Sequence, residues 1–300
     1  MKPITIFTGA SGLNTVTDPV RIPFKGGISD LQVAVNVSID QSGRVARRTG
    51  VSLLQSGDFH SLFCNGGDCF VIKNDSLFKV ADDGTLTGIR SGLTADQRMA
   101  FVQEGDRTYY SNGYELGWIE DGISHFWDKG TYTGVDTNSF FSYPMPGSHL
   151  ATFSGRIFVS VDNILWWSEL YDFGLFNMAK SFIQFHSKII MIKPVTAGVF
   201  ISTKKNTYFL LGVNPQTWQI KRLTGYPAIE WTDSIEYING VDLGMENNGM
   251  YPIWASPEGT ILGTPEGQII NLNKNKVIYP DNPKAGFGCV VGMDFIHGME

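Results

Sequence analysis

Residues Arg156–Leu170 read RIFVSVDNILWWSEL, and this stretch sets the grammar of the chain. Ile157, Phe158, Val159 and Val161 form one apolar run and Ile164, Leu165, Trp166 and Trp167 a second. Asp162-Asn163 lies between them, and both residue types tolerate the left-handed backbone of a tight hairpin turn. β-Branched and aromatic side chains suit a pleated, buried surface, so the stretch predicts two antiparallel strands. Trp166 and Trp167 adjoin and must point to opposite faces. One is expected between packed sheets, the other at an interface or beneath the loop at Asp172–Phe176.

The same pattern recurs on both sides. A first unit has strands at Phe59–Phe63, Cys69–Lys73, Ser76–Val80 and Thr85–Ile89, with turns at Asn65-Gly66-Gly67, Asn74-Asp75 and Asp82-Asp83-Gly84. A second has Met99–Val102, Arg107–Tyr110, Tyr114–Ile119 and Ile123–Trp127. Asn112 follows Asn74, and Asp121 follows Asp83, by the same 38 positions. The opening hairpin belongs to a third unit, which starts at Leu150–Phe153, breaks at Asp172-Phe173-Gly174 and ends at Ser181–Phe185. The fourth runs through Ile189–Ile192, Val199–Thr203, Thr207–Leu211 and Trp218–Leu223. The fifth starts near Val241–Leu243 and continues through Tyr251–Ala255, Thr260–Gly263 and Gln268–Leu272.

Four-stranded units at intervals of about 40–50 residues are the signature of a β-propeller. One such sheet cannot bury both faces alone, whereas sheets stacked radially cover one another. The expected fold is therefore all-β, with five full four-stranded blades. A sixth, composite blade is expected from the two termini: a hairpin within Leu31–Gly50, where Val33, Val35 and Val37 alternate with smaller residues, and one or two strands in Phe287–Ile296. Joining first and last strands would close the ring and remove exposed edges. Residues 1–30, broken by Gly9, Gly12, Pro19, Pro23, Gly26 and Gly27, read as an extended arm, and residues 31–300 as the propeller domain. An irregular β-sandwich or two smaller β domains would be the alternative.

Composition narrows function. The 300 residues carry 42% hydrophobic and 17% charged side chains with 34 glycines, which suits short strands and tight turns. The net charge of −6 argues against a protein that grips nucleic acid through its phosphates. It is compatible with a surface that DNA slides past. Cys64, Cys69 and Cys289 give no disulfide framework. Cys64 and Cys69 flank a turn and are expected to face each other as small apolar strand residues. The N-terminus shows no long apolar run, so neither a signal peptide nor a membrane helix is expected, and a reducing cytoplasm is the expected place of synthesis.

No catalytic constellation emerges. Asp68, Asp106, Asp162, Asp172, Glu169 and Glu230 fall mostly at turns, where local backbone hydrogen bonding favours Asp. No spacing implies the paired carboxyls of a glycosidase. His60, His125, His149, His186 and His297 form no metal-ligand spacing, and neither a nucleophile elbow nor a phosphate-binding loop is present. Neither metal nor cofactor is expected. Arg44, Arg47 and Arg48 form the one basic cluster. They read equally as a docking patch for an acidic neighbour or DNA and as a solvated strand edge that discourages unwanted pairing.

One resemblance carries further. Gly12-Leu13-Asn14, Asp18-Pro19-Val20-Arg21, and Ala34-x-Asn36-Val37-x-Ile39-Asp40-x-x-Gly43-Arg44-x-x-Arg47-Arg48-x-Gly50 together resemble the N-terminal region of bacteriophage virion proteins. Leu150–Phe158, Trp167-Ser168, Ile189–Val199 and Thr207–Gly212 are similar to packaged-DNA stabilisation proteins of short-tailed phages. The resemblance spans most of the chain at the level of pattern, and this chain is shorter than the larger members, so it is expected to lack their C-terminal extra domain. It implies a non-enzymatic, structural propeller in the tail hub or nozzle, below the portal and adaptor rings. It implies a homo-oligomeric ring, expected to be a hexamer, that closes the DNA exit channel without sequence-specific DNA binding. The implied location is the virion, with assembly in the host cytoplasm. Arg44, Arg47, Arg48 and Trp167 are the candidate subunit or channel contacts. The competing expectation is a propeller-type receptor-binding protein that holds or cleaves glycan at a mouth lined by Trp, Tyr and paired carboxylates; a cellular scaffold for protein partners is a third.

Overall fold

The computed structural model describes residues 9–25, 27–40, 42–48, 50, 52–131, 140–240, 245–274, 276–277, 279, 283, 285–291 and 294–299. The opening stretch forms the hairpin its sequence predicts. Strands Arg156–Val161 and Ile164–Glu169 pair antiparallel, with Val161 opposite Ile164. Asp162 takes the turn at φ 50°. The preceding turn, Ser154-Gly155, has φ of 51° and 69°, both positive as a two-residue hairpin requires.

Five four-stranded antiparallel sheets follow one another and make a five-bladed β-propeller. Blade I comprises Phe59–Asn65, Asp68–Lys73, Ser76–Val80 and Leu86–Arg90. Blade II comprises Ala100–Glu104, Arg107–Ser111, Leu116–Glu120 and Ile123–His125. Blade III comprises His149–Phe153, the opening hairpin, and Phe182–Gln184 paired to Ile164–Glu169. Blade IV comprises Ile189–Val195, Gly198–Thr203, Thr207–Leu211 and Gln219–Thr224. Blade V comprises Ser234–Ile238, Gly249–Ser256, Gly259–Gly263 and Ile269–Asn271.

The period of two along each second strand explains how the blades stack. Tyr110 joins Phe70, Ile72 and Leu77 between blades I and II, while its neighbour Tyr109 faces Ile157, Val159 and Trp166 between II and III. Phe158 and Trp167 point the other way, onto Ile192, Val199 and Leu210 of blade IV. Phe200, flanked by Val199 and Ile201, packs with Trp254 of blade V. Tyr251 and Ile253, on the opposite face of blade V from Trp254, meet Val290 and Phe295. An apolar layer thus joins each pair of neighbouring blades from I to V, and a further one joins blade V to the C-terminal hairpin.

A feature with no sequence precedent repeats in blades II to V. A fully buried serine stands at or next to the end of the second strand: Ser111, Ser160, Ser202 and Ser256. Ser111 Oγ accepts the Gly147 N–H at 2.9 Å, Ser160 Oγ the His149 N–H at 3.1 Å, and Ser202 Oγ the Ala228 N–H at 2.7 Å. The Ser111 and Ser202 bonds satisfy backbone donors where the chain crosses to the next blade. Ser202→Ala should therefore leave a buried N–H unpaired and destabilise by about 1–3 kcal/mol. The check is a lowered urea midpoint at unchanged slope.

Four expectations need correction. Strands Gly286–Val291 and Asp294–Met299 form a two-stranded sheet in the sector beyond blade V, but the N-terminal hairpin, Val37–Ile39 with Val45–Arg47, is a separate sheet. Among the described residues no ladder joins the two, so the termini do not share one composite blade. Val33 and Val35 lie outside any strand and are exposed, so their alternation marks no buried face. The break at Asp172-Phe173-Gly174 is instead part of a strand, Asp172–Asn177, which pairs with Ile164–Glu169 and with Phe141–Ser142 on the flank of blade III. Cys64 and Cys69, opposite one another in blade I, form a disulfide, and Cys64 is exposed rather than a buried apolar residue.

The arm is also less irregular than its glycines suggest. Gly9–Leu13 pairs in parallel with Ile28–Leu31, and the segment is tied to the C-terminal third by Thr15 N–H to Lys276 O at 2.7 Å and by Lys276 to Asp30 at 3.5 Å. The strand expected at Val241–Leu243 lies outside the described residues; blade V begins at Ser234–Ile238.

Candidate functional site: the central cavity

The first strands of blades I to IV face one another around the ring. The space they leave is bordered by Trp231 and Asp233 and by Phe287–Cys289 of the C-terminal hairpin, and it is open to solvent. The resulting cavity has a volume of about 740 Å³, within the usual range for small-molecule sites. Its walls on the side of blades I and II are apolar, with Phe59, Leu62, Phe63, Val80, Leu86 and Phe101.

Its polar side is built from three elements. His149 opens blade III and stacks on the Trp231 ring at 4.5 Å between centroids. Lys193, within the strand Ile189–Val195, pairs with Asp233 at 2.8 Å, and the two side chains are 20% and 10% exposed. Nearby, Lys188 reaches Glu230 at 3.4 Å. The Ser148 and Ser160 hydroxyls lie 3.1 and 3.4 Å from His149 Nδ1. His149 Nε2 and Asp233 Oδ1 are both buried and have no hydrogen-bond partner. Across the cavity Arg98 donates to Gly286 O at 2.6 Å, and Ser61 Oγ, held next to His60 Nδ1 at 2.9 Å, accepts the Met99 N–H at 2.8 Å.

Burial pushes the His149 imidazole down to about 4; Lys188 and Lys193 act in the same direction, and Asp233 opposes them. The ring is therefore neutral at pH 7. In the unfolded chain the group titrates near 6.5, so the unfolded state binds more protons between those values. The contribution of His149 is complete above pH 6.5 and is lost as pH falls from 6.5 towards 4, by roughly 3 kcal/mol in all. Urea titrations at a series of pH values should show this decline, and His149→Gln should flatten it.

The residues singled out from sequence lie elsewhere. Trp167 is 2% exposed and fills the interface of blades III and IV with Phe158 and Trp218, so it is no subunit or channel contact. Arg44, Arg47 and Arg48 are exposed on and beside the N-terminal hairpin, and none lines the cavity. Asp68 pairs with Lys79 at 2.6 Å, Glu169 with Arg156 at 3.9 Å and Glu230 with Lys188. These carboxylates are spread over blade I, blade III and the lead into blade V. Among the described residues no group of three or more His, Cys, Asp or Glu could hold a metal ion, and no helix is long and apolar enough to cross a membrane. Lys193 carries the one usable sequence signal for the cavity: a charge directly after the apolar run Ile189-Ile190-Met191-Ile192, within the same strand. His149, Trp231 and Asp233 come together only through the ring.

No protein-family model matches the chain, and no curated protein matches it. Solved structures do. The N-terminal domain of Nup159 aligns at a TM-score of 0.50 with 8% identity, over 81% of this chain and 72% of that one. The WD40 β-propeller domain of Doa1 aligns at 0.44 with 10% identity, over 71% and 68%. A gluconolactonase from Xanthomonas campestris aligns at 0.44 with 10% identity, over 68% and 70%. At these identities the likeness concerns the fold alone.

Proposed function

We propose that the chain is a structural protein of a bacteriophage virion, one protomer of a tail ring below the portal and adaptor that closes the DNA exit channel. The observation that carries this reading is the N-terminal segment. Outside the five blades, Val20, Val33, Val35 and Leu53 are between 76% and 93% exposed. Scattered exposed apolar residues are ordinary, but this many in one non-blade segment mark a surface made to be covered by another chain. The same segment bears the motif similar to phage virion proteins, together with the exposed Arg44, Arg47 and Arg48. An overall charge of −6 lets DNA pass without adhering.

Electron microscopy of phage particles carrying the chain tests the reading. A ring of copies in the tail is the expected density; particles that lack the protein overturn it. A triple substitution, Val33→Ser, Val35→Ser and Leu53→Ser, should leave the circular dichroism unchanged and abolish ring assembly.

The competing glycosidase reading finds little in the cavity. Trp231 lines it, but among the described lining residues Asp233 is the sole carboxylate, and it is paired to Lys193. Hydrolysis of a glycosidic bond by the usual route needs two carboxyl groups at a set separation.

A further inference from the structure

We propose that the central cavity binds an amphipathic carboxylate, its head on the Arg98 guanidinium and its apolar chain in the seam between blade I and the C-terminal hairpin. This goes beyond the virion reading and does not depend on it. The seam is where the apolar layers stop. Clusters join blade I to II, II to III, III to IV, IV to V, and blade V to the hairpin; among the described residues none joins the hairpin to blade I. Period two divides the side chains of each strand between the two faces of its sheet. In blade I, Phe70 and Ile72 turn to blade II, and Val71 between them faces the cavity with Leu62, Val80 and Leu86. In the hairpin, Val290 turns to blade V, while Phe287 and Cys289 line the cavity and are exposed. Two apolar faces thus border one opening, and an apolar chain between them would take both out of water.

Arg98 selects the head. It stands in the lead into blade II, lines the cavity, and donates from Nη1 to Gly286 O of the hairpin at 2.6 Å. Its Nε and Nη2, the side-on fork of the guanidinium, have no partner among the described residues, and neither is buried. No described carboxylate lies within ion-pair distance of it. Lys193, the other cation of the lining, is paired to Asp233. Burial lowers the pKa of His60 and of His149, so both rings are neutral at pH 7. Arg98 is therefore the one unbalanced charge among the described lining residues, in a chain whose net charge is −6. Its free fork fits a carboxylate through two parallel hydrogen bonds. An ammonium head would be repelled, and a hydroxyl would accept from the fork without balancing its charge.

The test uses the full chain, with decanoate, 1-decanol, decylammonium and acetate as probes below micelle-forming concentrations, followed by tryptophan fluorescence and saturation-transfer NMR. One saturable decanoate site is expected, at least tenfold tighter than 1-decanol or decylammonium, with no acetate binding at the same concentrations. Arg98→Gln should weaken decanoate at least tenfold, to the level of 1-decanol, and leave 1-decanol unchanged; a damaged fold would lose both. Arg98→Lys keeps the charge but not the fork and should weaken decanoate about threefold or more. Leu62 is 68% exposed, so in Leu62→Trp the fold should persist while the new ring fills the seam and blocks decanoate and 1-decanol alike. Equal binding of the three decyl probes would reduce the seam to a greasy void and overturn the proposal. So would decanoate binding undiminished in either Arg98 variant or in Leu62→Trp, acetate binding as tight as decanoate, or no decanoate binding at all.

Discussion

Trp166→Ala and Trp167→Ala should each destabilise the chain by about 3–5 kcal/mol, the usual range for removing a large buried aromatic ring. Two neighbours on one strand seldom share such a penalty, because one of them ordinarily faces water. Here blade III is covered on both sides. Trp166 belongs to the cluster shared with blade II, near Tyr109 and Leu116, and lies tilted against Phe182 with 5.0 Å between ring centroids. Trp167 belongs to the cluster shared with blade IV, 5.9 Å from Trp218 and 6.2 Å from Phe158. Equilibrium urea unfolding measures both. If either variant unfolds at the wild-type midpoint, that face of blade III is not buried and the radial stacking of sheets is wrong. The two cavities open in different inter-blade layers, so neither can relax by borrowing atoms from the other.

What the sequence made legible follows from this two-sided burial. Strands such as Ser76–Val80 and Arg156–Val161 were placed by turn residues at both ends, and the turns are where Asp, Asn and Gly have a direct backbone reason to be. Where the turn signal misled, the cause is specific. Asp172-Phe173-Gly174 looked like a break because Asp and Gly stood together. Yet Gly174 serves close packing, its Cα facing the Asp128 and Gly130 backbone, and Gly130 N–H bonds to Gly174 O at 3.0 Å. Val33 and Val35 alternate as strand residues do, but both are exposed, and periodicity alone cannot tell a buried face from an exposed one. The Cys64–Cys69 pairing was legible as a position across a turn and not as a bond, since two strand cysteines carry no mark of their oxidation state.

The cavity was less readable for a reason of distance in the chain. His149, Lys193 and Asp233 come from blade III, from blade IV and from the lead into blade V, and the contacts among them exist only once the ring has formed. The buried serines are ambiguous in sequence for a different reason. Ser111, Ser160, Ser202 and Ser256 lie at similar positions in four blades, but a serine near a strand end reads as the start of a turn. Its inward role appears once the crossing backbone is seen to donate to it.

That dependence on the closed ring makes the second large effect a test of closure itself. Lys193→Met should destabilise by about 3 kcal/mol or more, because it leaves Asp233 largely buried with its counter-charge removed. Asp233 is 10% exposed, and its Oδ1 already lacks a hydrogen-bond partner, so the lysine at 2.8 Å is its principal compensation. The double variant Lys193→Met with Asp233→Leu should recover much of the loss, since two apolar side chains facing each other carry no stranded charge. Non-additivity of that size is expected of residues in direct contact. Additive losses in the double-mutant cycle would mean that blade IV and the lead into blade V do not meet at the axis. Methionine retains the length and apolar stem of lysine, so the measured loss reports charge rather than volume. The sign of the salt response separates this pair from the exposed ones: Lys79–Asp68, 41% and 54% exposed, should weaken with added salt, whereas the shielded pair at the axis should hold its contribution.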